Sequence, residues 1–89
     1  MIVVKVVYMY TPLCGTCQVA SRMVDVLEQL LPHISFERHD LNYVPEKAVQ
    51  WQIESVPCLL VFKRDELVQK IYAFHSVPYL YETLRELAE

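Results

Sequence analysis

Tyr10-Thr11-Pro12-Leu13-Cys14-Gly15-Thr16-Cys17 is the stretch at which the chain changes from one apolar periodicity to another. Before it, Ile2–Tyr10 (Ile-Val-Val-Lys-Val-Val-Tyr-Met-Tyr) is apolar apart from Lys5 and dense in β-branched and aromatic residues. That is the pattern of a strand buried on both faces. After it, from Cys17 to Leu31, the period becomes helical. Val19, Ala20, Met23, Val24, Leu27, Leu30 and Leu31 form a broad apolar stripe, with Gln18, Arg22, Asp25 and Gln29 opposite. Two cysteines therefore stand where a strand gives way to a helix. Gly15, the only glycine in the chain, lies between them and suggests a backbone demand at that point.

Working outward, Pro32 ends the first helix. A second strand is expected over Ile34–Asp40, followed by a connection at Leu41–Val44. Pro45 suits the first turn of a short second helix, about Glu46–Ile53, and Glu46 favours its N-terminus by charge. Val49 and Ile53 would share its inner face. Pro57 opens a third strand, Cys58–Lys63, apolar on both faces and so central. Arg64-Asp65-Glu66 turns the chain into a fourth strand, Leu67–Phe74. Ser76 can cap a last helix with Pro78 in its first turn, and Val77, Leu80, Tyr81, Leu84, Leu87 and Ala88 recur at helical spacing on its core face. The predicted fold is α/β, ordered βαβαββα, as a single domain over residues 1–89. The first βαβ unit requires parallel strands and a right-handed crossover, and the tight turn at Asp65 requires an antiparallel hairpin. One mixed four-stranded sheet with helices on both faces satisfies every apolar stripe.

A chain of 89 residues, 54% hydrophobic, can bury one core without disulfide staples or a structural metal. Three cysteines, an odd number, argue against a secreted disulfide framework. No signal peptide is read at the N-terminus, and no apolar run approaches the ~20 residues of a membrane helix. With net charge −3 and no basic cluster, neither nucleic acid nor membrane is an expected partner. The expectation is a cytoplasmic domain working as a monomer.

The cysteine spacing carries the chemistry. Residues three apart at a helix start share a face, within the reach a disulfide requires. Cys14 would lie at the N-terminus, where unpaired N–H groups and the helix dipole favour a thiolate, so it is the expected nucleophile. Cys17, one turn further in and less exposed, would resolve the mixed disulfide. The competing reading is a zinc-binding pair, but such sites usually need a second pair, and His33, His39 and His75 are scattered. No metal and no cofactor are expected. Cys58, next to Pro57, is either a buried small hydrophobe, a second resolving thiol, or a third metal or cluster ligand. Tyr10, Pro12 and Leu13 could form an apolar rim for a substrate protein.

Taken together, the cysteine stretch after a buried strand, Ser55-Val56-Pro57 before an apolar strand, and Phe62-Lys63 before the hairpin turn resemble the thioredoxin family. Asp40, Asn42 and Pro45 echo the same family's connection after its next strand. The resemblance implies a minimal thioredoxin fold, without the usual extra N-terminal strand and helix. It also implies a cis Val56–Pro57 bond, with the Val56 backbone pairing to substrate and a redox disulfide between Cys14 and Cys17. The implied activity is thiol–disulfide exchange, as a reductant of protein disulfides recharged by a thioredoxin-reductase-like flavoprotein or another dithiol reductant. A glutathione-recycled, glutaredoxin-like enzyme and a non-enzymatic redox-sensing module are the rival readings. Departures from the family pattern are Leu13 for a tryptophan, Thr16 for a proline, Arg38 for a lysine and Ala73 for a glycine. Tyr8 stands where the family has a buried acid, which leaves that acid's role unassigned.

Overall fold

The strand before the cysteines is the centre of the molecule in the computed structural model, which describes residues 3–88. In chain order the elements are β1 (Val4–Tyr10), α1 (Gly15–Leu30), β2 (Ser35–Asp40), α2 (Pro45–Gln50), β3 (Cys58–Lys63), β4 (Glu66–Ile71) and α3 (Val77–Ala88). The sheet runs β2-β1-β3-β4, so β1 and β3 are internal. β1 is parallel to β2, with Val6 opposite Phe36, and antiparallel to β3, with Tyr8 opposite Leu59. β3 and β4 form the antiparallel hairpin, with a register irregularity at Val61/Phe62.

Two-sided burial explains the unbroken apolar run of β1. Val4, Val6 and Tyr8 point to a cluster completed by Ala20, Val24 and Leu27 of α1, Leu59 and Val61 of β3, and Leu80 and Leu84 of α3. Val7 and Met9 point the other way, to Cys58, Leu60 and Phe62, covered by Leu41, Val44, Trp51 and Ile53. Thus α1 and α3 shield one face and the α2 region shields the other, as the stripes require. Ser76 Oγ accepts the Tyr79 N–H at 3.2 Å, which caps α3. On the outside, Arg38 of β2 reaches Asp25 and Glu28 of α1, both at 2.6 Å.

Several boundaries differ from expectation. Ile2 lies outside the described residues, and β2 begins at Ser35, with Ile34 buried just before it. The buried stripe of α1 is narrower than its apolar stripe: Cys17, Ala20, Val24 and Leu27 are buried, whereas Val19 and Leu30 are largely exposed. α2 stops at Gln50 and turns Val49 out to solvent at 81% exposure. Trp51, at its C-cap, packs in its place, edge-on to Phe62 with ring centroids 5.4 Å apart. β4 also ends early, at Ile71. Tyr72 and Phe74 leave the ladder, and His75 takes a left-handed φ of 56° that swings the chain into α3.

Candidate active site

The turn Thr11–Cys14 is closed by the Cys14 N–H donating to the Thr11 carbonyl at 3.3 Å. Cys14 is then the N-cap of α1, with extended φ −89° and ψ 112°. Its sulfur does what a capping oxygen does elsewhere: it accepts the Cys17 N–H at 3.1 Å. The Thr16 hydroxyl lies 3.2 Å from the same sulfur, and the Val56 carbonyl is 4.0 Å away. The hydrogen bonds from Cys17 and Thr16 hold the Cys14 thiol below the ordinary thiol range. Cys17, one turn inside and 2% exposed, is pushed the opposite way by burial and then by the nearby Cys14. One helical turn therefore separates an accessible sulfur prone to ionise from a sheltered one that holds its proton. All three cysteines are free thiols.

Gly15 answers no backbone demand. Its φ is not positive, and a Cβ there would meet nothing within 4 Å, because the first helical residue faces open solvent. The Val56–Pro57 bond is cis. Pro57 lines one side of a shallow groove of about 370 Å³ together with Val19, Ala20, Met23, Tyr72 and Phe74. Of the apolar stripe of α1, Val19 turns out to this open groove beside the cysteines, whereas Met23 borders the groove while still packing against the core. Leu13 projects at the tip of the turn, 99% exposed, with Pro12 exposed beside it. Tyr10, by contrast, turns inward and stacks on Tyr8, with centroids 5.4 Å apart, so it does not join the rim.

Behind Cys17, the fully buried Tyr8 donates its hydroxyl to the Cys17 carbonyl at 2.8 Å and contacts Ser21 Oγ at 3.1 Å. Burial pushes the Tyr8 phenol up to about 12. No motif marks Ser21 in the sequence; its four-residue spacing from Cys17 is the signal that puts both on one side of α1. Cys58 is fully buried on the far face of the sheet from α1, among Val7, Met9, Leu60 and Phe62, and burial pushes its thiol up to about 11. It packs as a small hydrophobe. Among the described residues, no group of three His, Cys, Asp or Glu side chains could hold a metal ion. No helix there is long and apolar enough to cross a membrane.

The family model for thioredoxin matches residues 2–86. The chain belongs to the thioredoxin family. A thioredoxin-like protein of Bacillus subtilis (strain 168), YusE, is 51% identical over 83 residues, covering 93% of this chain and 78% of that protein. The thioredoxin of Chlamydia trachomatis is 30% identical over 57 residues, 64% of this chain and 56% of its own length. Among solved structures, thioredoxin-2 of the malaria parasite superposes with a TM-score of 0.88 at 21% identity, covering 96% of this chain and 84% of that one. A thioredoxin domain thus spans nearly the whole chain. Its cysteine pair supports thiol–disulfide exchange at the level of the family.

Proposed function

We propose that the chain is a cytoplasmic reductant of protein disulfides. The observation that carries this reading is the asymmetry of the two sulfurs: Cys14 at the helix cap, accessible and readily ionised, and Cys17 buried one turn behind it. The Cys14 thiolate attacks one sulfur of a substrate disulfide. That S–S bond breaks, its electron pair leaves on the other substrate sulfur, and a mixed disulfide with Cys14 remains. Cys17 then attacks Cys14 Sγ, which forms the Cys14–Cys17 disulfide and frees the second substrate sulfur. Two electrons have passed to the substrate. A thioredoxin-reductase-like flavoprotein, or another dithiol, returns them to the protein.

The surroundings favour a polypeptide as substrate. The Val56 carbonyl faces Cys14 and can accept an N–H from an extended substrate segment, with Pro57 fixing the ledge. Leu13 and Pro12 offer apolar surface at the turn, and the adjoining groove is lined by apolar and aromatic side chains and Thr16, with no charged group. Glutathione brings carboxylates, and this groove holds no cation for them. A solved structure at TM-score 0.85 concerns the thiol resolving mechanism in a yeast mitochondrial 1-Cys peroxiredoxin via glutathione/thioredoxin systems.

Trapping tests the reading. Cys17→Ser leaves the nucleophile without its resolving partner, so it should accumulate mixed disulfides with several proteins, released by a dithiol. Cys14→Ser should accumulate none. A Cys17→Ser protein that captures nothing while its Cys14 remains alkylatable would overturn it. Turnover sustained by glutathione alone would favour the glutaredoxin-like reading instead.

A further inference from the structure

On the face of the sheet covered by α1, Tyr8 is a buried titratable side chain that the exchange between Cys14 and Cys17 leaves unused. A phenol carries one hydrogen, and that hydrogen is directed to the Cys17 carbonyl at 2.8 Å. In the 3.1 Å contact with Ser21, the serine hydroxyl must therefore be the donor. The hydrogen bonds run in one direction: Ser21 to Tyr8, then Tyr8 to Cys17. Ser21 and Cys17 lie four residues apart on one side of α1, and β1 presents Tyr8 to both. The bond to the Cys17 carbonyl holds the Tyr8 hydroxyl against the residue that carries the buried sulfur, and a phenol hydrogen turned to that sulfur would favour its thiolate. Cys14, one turn ahead, and a backbone group of Thr11 are the other groups acting on that sulfur.

We propose that Tyr8, oriented by Ser21, is the hydrogen-bond donor that steadies the Cys17 thiolate while the mixed disulfide is resolved. The proposal rests on the exchange reading above. In that step the Cys17–Cys14 S–S bond forms as the Cys14–substrate bond breaks, and the electron pair leaves on the substrate sulfur. The proton Cys17 loses is matched by the one the departing thiolate takes up. Tyr8 stays protonated throughout, because burial makes the phenol too weak an acid to ionise at neutral pH. It turns its hydrogen from the Cys17 carbonyl towards the sulfur as negative charge develops there.

Single-thiol proteins separate the two sulfurs. In Cys14→Ser/Cys58→Ala protein, the rate of alkylation against pH titrates Cys17 with no exchange reaction involved. Tyr8→Phe, which removes only the hydroxyl, should move that profile to higher pH, and Ser21→Ala should move it the same way by less. In Cys17→Ala/Cys58→Ala protein, the Cys14 profile should stay in place. With all three cysteines present, single-turnover release of a preformed mixed disulfide should slow roughly tenfold in Tyr8→Phe, the scale of a lost hydrogen bond to a charged group. A Cys17 profile that neither variant moves overturns the proposal. So do equal movements at Cys14 and Cys17, which would mark a general change in the fold. If Tyr8→Phe fails to fold, Ser21→Ala decides alone. Failure of the exchange reading looks different: the Cys17 profile shifts as expected, yet Cys17→Ser traps no substrate.

Discussion

Leu13 gives the most direct test of the substrate surface. Its side chain is 99% exposed, so folding buries almost none of it, and Leu13→Ala should change stability by no more than about 0.5 kcal/mol. Docking a polypeptide at Cys14 would remove the same side chain from water. The substitution deletes three carbons, worth about 2.4 kcal/mol on complete burial at ~0.8 kcal/mol each. Half-burial in a transient contact leaves about 1.2 kcal/mol, or roughly an eightfold fall in kcat/KM. The loss should appear mainly in KM, because the contact is made equally in the ground and transition states. The assay is reduction of insulin under excess dithiol, followed by thiol release, with thermal unfolding in parallel. A small dialkyl disulfide, which has no chain to lay across Leu13, should keep its wild-type rate. Less than a twofold change with insulin, or an equal loss with the small disulfide, would refute the rim.

Other outcomes follow from the same geometry. Iodoacetamide should modify Cys14 at lower pH than Cys17, because hydrogen bonds lower the first thiol and burial raises the second; mass spectrometry across a pH series reads the order. Leu27→Ala, at a fully buried position of α1, should cost about 3–5 kcal/mol, against less than about 1 kcal/mol for Leu30→Ala, which is 49% exposed; urea unfolding compares them. Cys58 is raised from 9.0 to about 11, so its contribution is complete below pH 9 and fades as the unfolded thiol ionises first. Stability should fall by about 2–3 kcal/mol between pH 9 and 11, and Cys58→Ala should flatten that fall in urea midpoints measured across the range.

The parts of the molecule legible in the sequence are those where one local pattern has one physical cause. β1 had to be apolar at nearly every position because both its faces are covered, and the switch to helical period after it located α1 and the cysteines together. α2 was harder: six residues make fewer than two turns, too few for a periodicity to say whether Val49 or Trp51 faces the sheet. Tyr72 and Phe74 border the groove beside Pro57 and carry the apolar alternation on past Ile71, where β4 ends. Tyr8 could be read as core, but its meeting with Cys17 depends on how α1 crosses β1, which no local pattern encodes. The roles of the two sulfurs rest on different ground. Cys14 is accessible and held below the ordinary thiol range because it is the cap, and Cys17 is sheltered because it lies one turn inside, over β1. Both follow from backbone position rather than from Gly15 or Thr16, although the Thr16 hydroxyl adds a hydrogen bond. The pair between the cysteines can thus depart from the family pattern and alter the ease of exchange, while the order of attack proposed above stays the same.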